Sequence, residues 1–475
     1  MNTERQIIRR HSVRSLTDGL AAPPERNWLW FGLFVVGVAF LGGSSRPDPI
    51  QNALLRPIVA LLLIPAFFHL RIADLARARL VCLLLAALSL WMVVQLLPLP
   101  PAVWQALPDR QAIAAIDQLI GSNTAWRPIS LAPFRGLDST FAMLVPIGAL
   151  MLATALRIPV RTLLFVIAGI GLIDAAFGLL QVIGEKSSPL YLFAITSRGA
   201  PVGIFANENH SAVFSAIVLL IMTRLALEGQ KYKDPPWIKL AFAPAFLFVL
   251  LAVLITGSRA GFIATIAALA GSAAMVWLTM RGSRSDRRRV TQKSHWRSPR
   301  GYALLGCAAA IVLVLLTFIW LERTPAVADM TDRTSFEDLR WSLWPTLSEM
   351  VTNHWMVGTG FGSFDAVYRI YEPSDLLMPP YVNHAHNDWA QLAIEGGLPA
   401  ILLLAALLLW TAKSMVDLGR AGHAKREQII FWTACLVIIA GAELVDYPLR
   451  TPVFQATFVW LLLCLASDRA SADSN

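Results

Sequence analysis

The chain has 475 residues, of which 56% are hydrophobic and only 15% charged, and its mean hydropathy is +0.57. A water-soluble globule of that composition would leave too much apolar surface exposed, so the chain is read as an all-α polytopic membrane protein. The formal net charge of +9 does not point to nucleic acid, because the cations are spread over alternate loops instead of being gathered on one domain.

Apolar runs long enough to span a bilayer, at about 20 residues each, fall at 28–44, 53–70, 80–98, 137–156, 160–183, 209–228, 237–256, 260–280, 301–321, 390–411, 427–446 and 452–467. They predict about twelve transmembrane helices. Arg5, Arg9, Arg10, Arg14 and Arg26 precede the first run, and every second connection repeats that bias, most heavily between Arg281 and Arg300. Because Lys and Arg stay on the cytoplasmic side of short loops, residues 1–27 and 469–475 are expected to be cytoplasmic tails. Residues 28–321 would then carry helices one to nine and residues 387–468 helices ten to twelve. The segment before Trp28 is long for a signal-peptide n-region and is followed by no convincing small-residue cleavage site, which makes the first run a retained anchor. Cys82, Cys307, Cys435 and Cys464 lie in predicted spans without paired spacing, so neither a disulfide nor a metal cluster is expected.

Two outer connections are long. In 99–136, prolines surround a weakly amphipathic stretch at 104–120 that reads as a helix lying on the membrane surface. Residues 322–386 form the expected large periplasmic loop. There Ser335 and Asp338 resemble a capping pair, and Phe336, Leu339, Leu343, Leu347, Met350 and Val351 recur at helical spacing. Arg340 falls inside that apolar arc, so it either points back into the protein or lies across the membrane interface with its stem buried. Gly358-Thr359-Gly360-Phe361-Gly362-Ser363 reads as a turn, since a phosphate cradle would need a preceding strand.

The topology rests on Lys and Arg alone, so the other polar residues test it independently, and they gather on the outer face. Asn207, Glu208, Asn209 and His210 open the sixth span; Thr256 to Gly261 make the hairpin between the seventh and eighth. His384 to Asp388 open the tenth, and Glu443, Asp446 and Arg450 mark the outer end of the eleventh. Lipid offers such groups no hydrogen-bond partner, so they must face protein or a water-filled cavity. Arg259, at a helix start, would suit a diphosphate together with Arg340, or would pair with Glu443 or Asp446. Asn387, Gln391 and Glu395 share one helical face and either line a cavity or bond to a neighbouring helix. His386, at the water boundary, carries a ring suited to taking a proton from a hydroxyl. His384 and His386 diverge at i, i+2 spacing and no further ligand set completes a metal site. Asp174 is intramembrane, shares a side with Gln181 and reads as a packing residue.

Several stretches together resemble the O-antigen ligase and polysaccharide polymerase superfamily of bacterial inner membranes. They are Gly203-Ile204-Phe205-Ala206-Asn207-Glu208-Asn209-His210, Gly257-Ser258-Arg259-Ala260-Gly261, Arg340-Trp341 with Val357 to Phe364, His384-Ala385-His386-Asn387-Asp388 with Gln391, Glu395 and Gly397, and Leu444-Val445-Asp446-Tyr447-Pro448-Leu449. The resemblance implies a GT-C-like, lipid-dependent glycosyltransferase that moves a glycan from a polyprenyl-diphosphate carrier to a glycan or lipid acceptor at the periplasmic face. It implies that Arg259 and Arg340 bind the donor diphosphate, that His386 activates the acceptor hydroxyl, and that transfer inverts the anomeric centre with no metal or other cofactor. Asn207, Asn209, His210, His384, Asn387, Gln391, Glu395 and Asp446 would support that site. Ala400 stands where the family pattern often has Gly. The same constellation would also suit a transporter open to one side, although no broken helix is evident in the sequence; a purely structural scaffold leaves the clustering unexplained. Within the enzyme class, ligase, polymerase and protein O-oligosaccharyltransferase remain open.

Overall fold

The computed structural model describes residues 28–46, 49–229, 231–287, 342–377, 382–422 and 426–473. Its principal helices are α1 (Trp28–Leu41), α2 (Ile50–His69), α3 (Arg79–Val94), α4 (Gln111–Leu119), α5 (Pro133–Ala155, with one break at Met143), α6 (Val160–Ile183) and α7 (Glu208–Glu228). They continue as α8 (Pro236–Leu254), α9 (Arg259–Arg287), α10 (Trp344–His354), α11 (Phe364–Tyr371), α12 (Asp388–Arg420), α13 (Arg426–Val445) and α14 (Pro452–Asp473). The fold is all-α and polytopic: among the described residues nine helices are long and apolar enough to cross a membrane, and α1 and α3 are shorter apolar helices. Every expected apolar run among them forms a helix, and α14 continues to Asp473, past the expected end at 468. The expected run at 301–321, the Ser335–Asp338 cap and Arg340 lie outside the described residues.

Helix α7 is the central post. It has no exposed face between His210 and Leu225, where every residue is buried, as in a helix surrounded by others. Small residues let its neighbours approach closely. A Cβ built on Gly171 of α6 would lie 2.5 Å from Val218, and one on Gly261 of α9 would lie 2.2 Å from Ala212. Further along the same pair, Gly271 meets Leu220 and Thr223 donates to Ser272 at 2.9 Å, so α7 and α9 run parallel. Helix α13 packs against both, with Ala434 beside Gly271. Because it runs antiparallel, its C-terminal end returns to the level where α7 and α9 begin. The register alone therefore places Asn207, Arg259 and Asp446 at one end of the bundle. At the other end Arg224 pairs with Asp468 at 2.8 Å, and Trp432 donates to the same carboxylate at 2.9 Å.

A second layer forms from α1, α2 and α5 around α14, where Trp460 packs on Phe31 and Phe34 and donates to the Ala149 carbonyl at 3.3 Å. The connection that follows α3 does not form the single helix expected at 104–120. It is broken into Pro101–Trp104 and α4 by Asp109, whose φ is 57°. Trp104, Arg110 and Asp117 are buried in it. Asp117 is salt-bridged to Arg127, and Trp104 donates to the Ala125 carbonyl at 2.9 Å. The stretch is thus a small folded cap whose polar face turns inward.

Helix α12 is not continuous either, contrary to the sequence reading. Gly397 has φ 60° and ψ −159°, a conformation that strains any residue with a Cβ. The break frees carbonyls, and in a membrane each must find a partner. The glycine turn supplies them: Thr359 N–H donates to Ile394 at 2.9 Å and Gly360 N–H to Glu395 at 3.0 Å. Helix α3 supplies the rest, with Gln95 Nε2 donating to Glu395 O at 2.9 Å and Trp91 Nε1 to Gly396 O at 2.7 Å. The turn packs so tightly that a Cβ on Gly358 would lie 2.2 Å from the Glu395 carbonyl oxygen. The break is closed by protein, unlike the open half-helices that coordinate ions in transporters.

Candidate active site

Two residues of the predicted set shape the backbone. The Asn207 side chain caps α7 by accepting from Asn209 N–H at 2.9 Å, and Asn387 caps α12 by accepting from Ala390 N–H at 3.0 Å. Asn387 is therefore turned back on its own helix and does not continue the face of Gln391 and Glu395. Gln391 uses its oxygen to hold Ala385 N–H at 2.9 Å. Between those anchors His386 sits at φ 50°, a left-handed conformation that few non-glycine residues adopt and that His, Asn and Asp adopt more readily than the rest. Such strain persists only where the surroundings over-determine it.

The strained residue directs its ring to Asp446. His386 Nδ1 lies 3.7 Å from Asp446 Oδ1, and His210 Nε2 approaches the same oxygen at 3.6 Å. Both distances exceed hydrogen-bond length, so these are charge contacts. Asn209 Nδ2 donates to the other oxygen at 3.0 Å, and Tyr447 N–H to Oδ1 at 3.0 Å. Burial alone would raise the Asp446 carboxyl; the facing His210 and His386 outweigh it and hold the group well below the usual carboxylate range. Tyr447 stands at the hub, its ring centroid 4.4 Å from that of His384, 5.0 Å from His386 and 5.4 Å from His210. His386 remains partly open, with 27% of its side chain exposed, whereas His210 is buried.

On the adjoining side, Arg450 pairs with Asp388 and with Glu395, the latter at 3.2 Å. The other Glu395 oxygen accepts from Gly362 N–H and Phe364 N–H, each at 3.1 Å, and from Gln391 Nε2 at 3.3 Å. His384 Nδ1 accepts a hydrogen bond from Gln391 Nε2 at 3.3 Å. Burial, then the charges of Arg450 and His386, push its ring well below the usual imidazole value, so it is neutral. These residues border a cavity of about 390 Å³, which opens beside an apolar groove of about 520 Å³ between α3, α12, α13 and α14. Leu88, Met143, Asp388, Leu392 and Gln455 line both, so the two adjoin across one shared wall.

The structure therefore brings together His386, His384, His210, Asn209, Asp446, Gln391 and Glu395. Arg259 begins α9 at the same end of the bundle but lines neither space. Asp174 and Gln181 are structural: Asp174 accepts from Ile204 N–H at 2.9 Å and Ser211 Oγ at 2.8 Å, while Gln181 holds the Val202 and Gly203 N–H groups. Sequence reasoning left Gln95, Arg450, Asp388 and Tyr447 out of the site. Gln95 carried a signal, being the polar residue at the end of an otherwise apolar run; Asp388 and Arg450 stood in the polar cluster at the helix ends, and Tyr447 lay inside the 444–449 motif without being given a role. Among the described residues no group of three or more His, Cys, Asp or Glu side chains is arranged to hold a metal ion.

Residues 244–405 match the family model described as O-Antigen ligase. No curated protein matches the chain. The matched stretch holds Arg259, the glycine turn and the run from His384 to Glu395, while Asn207 to His210 and Asp446 to Arg450 join it from outside. The chain is an all-helical, multi-pass membrane protein whose residues 244–405 are similar to the O-Antigen ligase family.

Proposed function

We propose that the protein is an inverting, metal-independent glycosyltransferase of a bacterial inner membrane, acting at the periplasmic face with both termini in the cytoplasm. It moves a glycan from a polyprenyl-diphosphate carrier to an acceptor hydroxyl. The observation that carries this reading is the Asp446 carboxylate, buried against the imidazoles of His210 and His386 beside a cavity that adjoins an apolar groove. Asp446 stabilises positive charge on His386, so the ring can accept the acceptor's proton as its oxygen attacks the anomeric carbon. The bond from that carbon to the diphosphate breaks, and the carrier leaves with the electron pair. Arg259, at a helix N-terminus, and Arg340 hold the phosphates as this charge develops. The groove accommodates the long apolar chain of a lipid substrate.

His386→Ala and Arg259→Ala in a strain lacking the native copy test the reading. Both variants should insert normally and leave the surface without the transferred glycan; normal surface glycan with either would remove that residue from the mechanism.

A further inference from the structure

The cavity wall next to the histidine cluster has a charge pattern that sorts possible ligands. Four arginines line it, and three of them are each matched by a carboxylate on the same wall: Arg56 of α2 with Asp138 of α5, Arg135 of α5 with Asp365 of α11, and Arg450 with Asp388 and Glu395. The pairs remain open at their edges, since half of the Arg135 side chain and a third of Asp138 are exposed. A phosphate binding to Arg56, Arg135 or Arg450 would have to separate an existing pair, and breaking a partly buried ion pair is costly. A hydroxyl needs no such exchange, because it donates to a free carboxylate lone pair and accepts from a spare guanidinium N–H together. Between the pairs, Met92, Phe361 and Leu88 give apolar patches of the kind that pack against the C–H face of a sugar ring. The volume, about 390 Å³, lies within the usual range for a small-ligand site, roughly 300–1,000 Å³.

We propose that the charge-paired cavity between α2, α5, α11 and α12 is a carbohydrate subsite, which holds the sugar part of a lipid-linked substrate and excludes its phosphates. This rests on the transferase reading and adds to it a role for the N-terminal half of the chain, which lies outside the matched family stretch. His384 lines the cavity and also packs against the Tyr447 ring. A sugar seated between the pairs therefore ends at the histidine cluster, with its phosphates beyond it.

The experiment uses full-length protein in lipid nanodiscs and the free oligosaccharide repeat released from the surface polysaccharide of the source organism. Saturation-transfer NMR reads its binding, and transfer from the lipid-linked form is measured in parallel. Wild type should bind the oligosaccharide, and inorganic pyrophosphate should not compete. Asp138→Asn, which loosens one pair, should weaken binding about tenfold. Ser139→Trp, which adds bulk at the cavity wall and removes no member of any pair, should abolish it while the variant still gives a monodisperse detergent size-exclusion peak. Unchanged binding in Ser139→Trp, or competition by pyrophosphate, overturns the subsite while measured transfer leaves the transferase reading intact. Cavity-dependent oligosaccharide binding without any transfer would support the subsite and count against the transferase.

Discussion

Glu395 offers the sharpest test of how the site is held. One of its oxygens accepts from Gly362 N–H and Phe364 N–H at 3.1 Å, and the other from Arg450 at 3.2 Å. Glu395→Leu keeps the volume and removes every acceptor. Two buried N–H groups are then orphaned at about 1–3 kcal/mol each. Arg450 retains Asp388, so its loss is that of one charge-assisted bond, about 1.5–3 kcal/mol. These terms share partners and do not add fully, which leaves about 4 kcal/mol. Glu395→Gln keeps a neutral acceptor for both N–H groups and should lose about 2 kcal/mol, from the ion pair alone. Denaturant unfolding in detergent micelles, followed by tryptophan fluorescence, measures both. A Glu395→Leu protein within about 1 kcal/mol of wild type would show that the glycine turn is held by its contacts with the α12 carbonyls and not by this carboxylate.

Other consequences follow from single residues. Gly397→Ala combines a strained φ with a Cβ 2.5 Å from Gly358 N, so the variant should fail to accumulate as folded protein, read by detergent size-exclusion; a normal monodisperse peak would contradict the tight packing of the break. Asp446→Asn should lower kcat for glycan transfer by about 10²–10⁴-fold with little change in donor KM, and an unchanged kcat would remove Asp446 from the proton path. The rings of His384 and His354 both lie below their usual pKa, burial being the main cause. The unfolded chain therefore binds more protons below about pH 6.5, and stability should fall as pH drops from there, by up to about 1.4 kcal/mol per unit for each ring. The Asp446 contribution opposes nothing in this window, because its depressed pKa is crossed only at far lower pH. Unfolding between pH 7 and 5 should flatten in the His384→Gln, His354→Gln double variant; an identical slope would refute the assignment.

Much of this was legible in the sequence because a bilayer restricts what a chain can do. Apolar run length gave the helices, and polar residues at outer helix ends gave the cluster around Asp446. The break at Gly397 was not legible, since Gly396-Gly397-Leu398-Pro399 reads equally well as a helix that tolerates small residues. What decides it is long-range, namely Gln95 and Trp91 on α3 and the glycine turn, all of which supply donors for the freed carbonyls. Asn387 was misplaced because helical phase treats a capping residue as if it were already in the helix, whereas its side chain turns back to Ala390. The charge pairing of the cavity wall was equally hidden. Arg56, Asp138, Arg135 and Asp365 look like interface residues of separate helices until α2, α5 and α11 come together.

The most direct test reconstitutes the purified protein in vesicles with a polyprenyl diphosphate carrying a labelled oligosaccharide and with acceptor supplied on one side. The account predicts that label becomes glycosidically linked to the acceptor with inverted anomeric configuration, and that His386→Ala still binds the lipid yet transfers nothing. Label that crosses the bilayer still attached to its carrier, with no new glycosidic bond, would contradict it.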